Sequence, residues 1–186
     1  LLSVEPFNYD NIILLAEGGG DRDPRSVDSE NIVTLLLLRD IFNQHAQESM
    51  NTRLITEVLD SQNRELISNA GVKDVIISNQ LVSMMLAQIS ESRGIKDVYD
   101  DIFEEDGSEI YLKPASLYFD SFPVDVSFAT LMDLAQQRRE VCLGIKIQSE
   151  ETNAEQNFGI DLIPQKDQTI RMMANDSLVV LSEDEF

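Results

Sequence analysis

The sequence predicts an α/β fold in two parts: half of a Rossmann-like parallel sheet with a helical hairpin, followed by a smaller α+β part. Over residues 1–106, apolar strand-like runs alternate with helical segments in the order β-α-β-α-β. This order is typical of parallel strands joined by crossover helices. From residue 107 to residue 186 the pattern changes to short strands around one helix, so we expect a domain boundary near residues 106 and 107.

The composition is that of a folded, acidic protein. Among 186 residues, 34 are Asp or Glu and 14 are Lys or Arg, which gives a formal net charge of −20. Hydrophobic residues make up 42% of the chain, an ordinary value, so the acidic groups are expected on the surface of a real core. Such a charge argues against nucleic acid as a partner. No apolar run reaches the roughly 20 residues that a membrane-spanning helix needs, and no signal peptide is visible.

The elements of the parallel sheet follow from local patterns. Asn11–Glu17 is an apolar run that ends at an acid and three glycines, a pattern typical of a strand buried on both faces. In the next segment, Asp28 or Ser29 is placed to cap a helix. The other predicted elements are a strand at Arg53–Leu59, a short capped helix at Asp60–Ala70 and a strand at Val72–Ser78.

Two amphipathic helices follow and predict the helical hairpin. The first begins near Asn79, and its apolar stripe consists of Leu81, Val82, Met85, Leu86 and Ile89, widened by Met84. The second follows Gly94, and its stripe consists of Ile95, Val98, Tyr99, Ile102 and Phe103. Both stripes repeat with the spacing of an α-helix, whereas the acids of the second helix lie on its other faces.

The second part is predicted to be mainly β. Strands are expected at Glu109–Lys113, Val141–Ile147, Phe158–Ile163 and Leu178–Leu181, with a helix at Phe128–Arg138. The single cysteine, Cys142, cannot form an internal disulfide, and its neighbours are apolar. We therefore expect it to be a small buried hydrophobic residue in a reducing compartment.

The sequence lacks the signatures of an enzyme. Its one histidine, His45, is expected to be solvated at the end of a helix, with no nucleophile motif beside it. No Cys and His pattern typical of a metal site is present. The triplet Gly18-Gly19-Gly20 follows a strand, but its continuation fits neither common phosphate-binding pattern, so we interpret it as a flexible turn.

Carboxylates are the candidate binding groups. Glu17 and Asp60 end two predicted strands, and Asp28 lies at the start of the adjacent helix. Ligands of open parallel sheets bind at the carboxyl ends of the strands, where these three side chains would converge. Carboxylate oxygens are suitable ligands for a hard cation such as Ca²⁺. The alternative is that Asp28 and Asp60 only cap helices.

Clustered apolar side chains predict an interface. The four consecutive residues Leu35–Leu38 cannot all face one sheet, because neighbouring residues are about 100° apart around a helix. Some of them must therefore contact another chain or another domain. The same argument applies to Met84 and Met85. We expect an oligomer, although an internal domain interface is the alternative.

Several segments resemble the cytosolic regulatory region of the CASTOR/POLLUX ion-channel family, which belongs to the RCK group, the regulators of potassium conductance. The similar segments, in the order of the family, are Tyr9–Ala16, Asp28–Ile41, Glu57–Ser61, Ile77–Ala87 and Leu112–Ala115. From about Glu109 onward the pattern resembles the C-terminal, TrkA-C-like RCK subdomain. Residues 1–106 would then be the C-terminal half of the RCK Rossmann-like lobe with its crossover hairpin, and residues 107–186 the C-terminal subdomain.

The resemblance implies a gating module without enzymatic activity. RCK subunits form a dimer or a ring at the cytoplasmic face of a membrane, attached to a cation pore, and ligands change the shape of the ring. Ca²⁺ is the leading ligand that the resemblance suggests. The expected interface residues are Leu35, Leu36, Leu37, Leu38, Leu81, Met84, Met85, Ile95, Val98, Ile102 and Phe103.

The chain also departs from the family pattern. The pore and the first half of the Rossmann sheet are not in the sequence, and the chain opens at Leu1 rather than at Met. We therefore expect a piece of a longer protein, with an incomplete nucleotide site. The alternatives are a nucleotide-sensing regulatory subunit of a potassium transporter and, in the enzyme class, a fragment of a nucleotide-dependent oxidoreductase.

Overall fold

The computed structural model describes residues 4–16, 23–45, 52–63, 74–104 and 107–183. The chain divides into two compact units, Leu1–Arg93 and Gly94–Phe186. This division assigns the second helix of the predicted hairpin to the second unit, whereas the sequence pattern groups that helix with the first. A functional boundary at residues 106 and 107 stays a prediction.

A three-stranded parallel sheet forms the centre of the first unit. Its strands lie in the order β1 (Asn11–Leu14), β2 (Arg53–Val58) and β3 (Asp74–Ile77). Helix α1 (Pro24–Gln44) lies between β1 and β2 in the chain and packs on one face of the sheet. The predicted parallel sheet and its first crossover helix are confirmed. The predicted helix at Asp60–Ala70 falls mostly outside the described residues.

Only one face of this sheet is covered within the described residues. The small core consists of Leu35 and Ile32 from α1 with Leu14, Leu54, Val58 and Val75 from the strands. On the opposite face, Ile13 is 60% exposed and Ile76 is exposed as well. The prediction that the first strand is buried on both faces is therefore wrong for this chain. Alternate residues of a strand point to opposite faces, and only one of those faces meets α1.

Helix α1 begins earlier than the sequence pattern predicts. Pro24 is its first residue, and the Asp23 carboxylate caps it by accepting a hydrogen bond from the Arg25 N–H at 3.2 Å. Proline is favoured at this position because its fixed φ suits a helix and its missing N–H has no partner there. Neither Asp28 nor Ser29 caps the helix, so that prediction is wrong.

The far end of α1 carries the single histidine. His45 follows the last helical residue, and its ring stacks on Phe7 with 4.6 Å between the ring centroids. The side chain is half-buried rather than fully solvated. Stacking on an aromatic neighbour explains this difference from the expectation.

Two further helices correspond to the predicted hairpin elements. Helix α2 (Ser78–Glu91) closes the described part of the first unit, and helix α3 (Ile95–Phe103) opens the second. Gly94 precedes α3 with a φ of 87°, which a residue with a side chain rarely adopts. No residue of either helix is buried.

After α3, the described part of the second unit contains two antiparallel sheets and a further α-helix. The larger sheet has the strand order β4-β9-β6-β7, with β4 at Glu109–Pro114, β6 at Val141–Lys146, β7 at Ile160–Leu162 and β9 at Ser177–Ser182. The smaller sheet pairs β5 (Val124–Ser127) with β8 (Thr169–Met172). Local patterns do not predict this smaller sheet, because each of its strands is only four residues long and the two strands lie far apart along the chain.

Helix α4 (Phe128–Gln137) supplies the core of the second unit. Its residues Phe128, Leu131 and Ala135 are buried together with Cys142 of β6 and Leu178 of β9. Burial raises the pKa of the Cys142 thiol to about 11. Cys142 is therefore the small buried hydrophobic residue that the sequence predicts.

Candidate functional site

Asp28 holds helix α1 to the carboxyl edge of the parallel sheet. Its fully buried carboxylate accepts hydrogen bonds from the backbone N–H groups of Leu59 and Asp60, both at 2.9 Å. The Asn63 side chain donates a third hydrogen bond at 2.8 Å. Backbone N–H groups that leave the end of a strand need acceptors when they are buried, and Asp28 provides them.

Asp60 lies next to this carboxylate but its side chain makes different contacts. One of its oxygens accepts a hydrogen bond from the Gln62 N–H at 2.9 Å. The other oxygen lies 3.8 Å from Nε of the exposed Arg25. The side chain is 25% exposed, so it is in reach of solvent.

The third predicted ligand, Glu17, lies outside the described residues. Within the described ranges, no group of three His, Cys, Asp or Glu side chains could hold a metal ion. Ca²⁺ takes six to eight oxygen ligands, and the Asp28 oxygens already accept three hydrogen bonds. The described residues alone therefore do not fit Ca²⁺, and the set Glu17, Asp28 and Asp60 stays a prediction.

Glu57 is a further residue of this edge, and local sequence patterns did not predict it. Glu57 lies near the end of β2, and its carboxylate accepts hydrogen bonds from the Ala16 N–H at 2.9 Å and from the Ser78 hydroxyl. It thereby links the segment after β1 to the first residue of α2. An acidic residue one position before the end of a strand, after the apolar pair Leu54 and Ile55, is the signal that could have identified it.

The predicted interface residues divide between the core and the surface. On α1, Leu35 and Leu38 are each 1% exposed, whereas Leu36 and Leu37 are about half exposed on the opposite side. The predicted residues Leu81, Met84, Val98 and Phe103 are exposed on α2 and α3, and Met85, Ile95 and Ile102 are half-buried. The exposed members are available to a partner, and their role in assembly stays a prediction.

A second polar centre, also missed, lies in the second unit. Lys113 of β4 donates a hydrogen bond to the Glu140 carboxylate at 2.9 Å, and Arg138 donates another at 3.2 Å. The Tyr118 hydroxyl donates to the other oxygen of Glu140. Burial raises the pKa of Tyr118, and its hydrogen bond to Glu140 acts in the same direction. Because both Glu140 oxygens are occupied, this carboxylate joins β4 to the turn before β6.

The comparisons with known proteins identify the relatives of this chain. It is 31% identical to the ion channel CASTOR of Lotus japonicus over 77% of the chain, and 30% identical to a probable ion channel CASTOR of Oryza sativa subsp. japonica over 96%. The chain spans only 20% and 22% of these proteins. It is also similar to POLLUX of Lotus japonicus, with 30% identity over 77% of the chain. These relatives are all named as ion channels, in agreement with the expectation that the chain is not an enzyme.

The chain is also similar in fold to a solved structure. The human SLO3 gating ring matches 98% of this chain with a TM-score of 0.65, at 16% sequence identity and over 34% of that protein's chain. No protein-family model matches the sequence. None of the helices in the described ranges combines the length and apolar character that crossing a bilayer requires. The chain is thus homologous, over most of its length, to a segment of the CASTOR and POLLUX ion channels, and its fold is similar to that of the human SLO3 gating ring.

Proposed function

We propose that this chain is a regulatory module of a cation channel, which assembles with copies of itself at the cytoplasmic face of a membrane and transmits ligand binding to an attached pore. Helix α2 carries the assembly part of this proposal, and the similarity to CASTOR and POLLUX supports the part about an ion channel. The helix has 14 residues and none of them is buried, although Leu81, Val82, Met84 and Leu86 are all exposed apolar side chains.

A helix of this kind needs a partner. A single helix of about 12 to 15 residues is marginally stable in water, and most helical stability comes from packing of an apolar face. Met84 is 57% exposed, so the described part of the chain does not supply that packing. A second copy would bury the same side chains on both subunits at once.

The open face of the parallel sheet supports assembly for the same reason. Ile13 and Ile76 are exposed there, although parallel sheets usually have both faces covered. The chain corresponds to about a fifth of its ion-channel relatives, so a pore within the same longer protein is the partner to which a ligand signal would pass.

Calcium responsiveness is the finer part of this proposal. Asp60 provides a partly exposed carboxylate at the carboxyl edge of the sheet, and a Ca²⁺ site there needs further oxygen ligands. Glu17 is the candidate for the second carboxylate because it closely follows β1 in the sequence. Binding by both carboxylates would connect the segment after β1 with the segment after β2 at this edge of the sheet.

Light scattering on this chain tests the assembly. We expect a dimer or a larger species whose size or shape responds to millimolar Ca²⁺ but not to Mg²⁺. Met84→Lys should shift the species toward the monomer, because it places a charge in the apolar stripe of α2. Ser83→Lys is the matched control, since Ser83 is an exposed polar residue of the same helix that lies outside the apolar stripe. A monomer at all concentrations, or equal effects of the two variants, would contradict the proposal.

Calorimetry tests the calcium part separately. Asp60→Ala should weaken Ca²⁺ binding at least tenfold, the loss expected when a charged ligand oxygen is removed. The exposed Asp125 of β5 offers a control, and Asp125→Ala should leave the affinity unchanged. If Ca²⁺ binds equally well to the Asp60 variant, this edge is not the calcium site.

A further inference from the structure

A cavity of about 650 Å³ opens in the second unit, beside the turn that joins α4 to β6. Its lining includes Lys113, Arg138, Arg139 and Glu183, with Val141 and Leu181 as apolar wall. Cavities of roughly 300 to 1,000 Å³ with a few converging polar groups are the usual size for small-molecule sites.

The cavity is lined by three cations and two acids, in a chain whose net charge is −20. Of the two acids that line it, Glu140 already accepts hydrogen bonds from Lys113, Arg138 and Tyr118. Arg139 differs from the other two cations, because its guanidinium has no hydrogen bond or ion pair with any described residue. A complete guanidinium fork is therefore available to a ligand.

Arg139 also occupies a backbone position that favours glycine. Its φ is 63°, and its N–H donates to the Gln136 carbonyl at 3.0 Å, while the Glu140 N–H donates to the Ala135 carbonyl at 3.0 Å. This pair of hydrogen bonds is the Schellman motif, in which the left-handed residue after a helix is most often glycine. An arginine at this position has a strained backbone conformation, and such strain is typical of functional positions.

We propose that this cavity binds a small organic anion through a phosphate or carboxylate group held by Arg139, with Arg138 as the second contact. The planar guanidinium donates two parallel hydrogen bonds to such a group, which matches the geometry of both anions. The Lys113–Glu140 pair fixes the turn that presents the two arginines. The proposal concerns a site in the second unit and does not depend on assembly or on Ca²⁺.

Calorimetry on this chain tests the site, with inorganic pyrophosphate and citrate as probes at constant ionic strength. We expect at least one probe to bind. The probe with the higher affinity indicates whether the site prefers phosphate or carboxylate. Arg139→Gly should weaken binding about tenfold or more, since hydrogen bonds to a charged group are lost. Its melting temperature should not fall, because glycine relieves the left-handed strain at this position.

Two further variants make the test specific. Arg139→Ala should lose binding in the same way, which keeps the test valid if the glycine variant behaves unexpectedly. Arg171→Ala is the control, because Arg171 is an exposed arginine of β8 that does not line the cavity. The proposal would be overturned if neither probe binds. It would also be overturned if the Arg139 variants bind as tightly as the unmodified chain, or if the Arg171 variant loses as much affinity as they do.

Discussion

The Lys113 ammonium group lies 2.9 Å from the Glu140 carboxylate, and both side chains are at most 3% exposed. Burial by itself would raise the pKa of Glu140. The hydrogen bonds from Tyr118, Lys113 and Arg138 outweigh that effect and hold the pKa of Glu140 below its ordinary value. The carboxylate therefore stays charged while it joins β4 to the turn after α4.

Because Lys113 and Glu140 form a buried ion pair, we expect the free energy of unfolding to depend on pH. Glu140→Gln should lower the free energy of unfolding by about 3 kcal/mol at pH 7, because it leaves the buried Lys113 without its charged partner. The folded-state pKa of Glu140 lies below its ordinary value of 4.5, so the stabilisation by its charge is complete above about pH 4.5 and is lost as the pH falls further. Urea unfolding of both proteins between about pH 7 and pH 3 measures this difference, and a gap that does not shrink in acid would contradict it.

Asp28 should be important for folding whatever its role in cation binding. Asp28→Ala removes the acceptor for the N–H groups of Leu59 and Asp60, and we expect a loss of about 2 to 3 kcal/mol in the free energy of unfolding. Asp40→Ala, at an exposed position of the same helix, should change it by less than about 0.5 kcal/mol. Equal losses in chemical denaturation would show that helix propensity, rather than the buried hydrogen bonds, explains the effect.

Two adjacent leucines of α1 should respond very differently to truncation. Leu35→Ala should cost about 2 to 5 kcal/mol, because Leu35 is fully buried against Val58. Leu36→Ala should leave the stability of the isolated chain nearly unchanged, because Leu36 is 50% exposed. Chemical denaturation at a dilution where the chain is monomeric measures the free energy of unfolding of both variants. Similar losses in the two variants would mean that α1 is rotated about its axis relative to the orientation given above.

The Cys142 thiol should be unreactive in the folded chain. Burial raises its pKa to about 11, so almost no thiolate is present at pH 8, and thiolate is the form that reacts. Alkylation with iodoacetamide should therefore be far slower in native protein than in urea-unfolded protein. Rapid labelling under native conditions would contradict the burial of β6.

Local patterns were sufficient for much of the fold. The apolar run at Asn11–Leu14, the helical spacing in α2 and α3, and the alternation of strands and helices all predicted elements that the structure contains. These signals work because side-chain periodicity distinguishes helices from strands within a few residues. The division of the leucines of α1 between core and surface follows from the same geometry.

The sequence by itself determined the alternation of strands and helices and the apolar stripes of α2 and α3, since each depends on neighbouring residues. Only the tertiary structure decided what Asp28 bonds, because its partner Leu59 is 31 positions away. The Lys113 and Glu140 pair, separated by 27 positions, and the pairing of β5 with β8 depend in the same way on strands that meet only in the folded chain. Hydrogen bonds between distant segments require a register that no local pattern encodes, so the carboxylates that look like cation ligands in the sequence can serve the backbone instead.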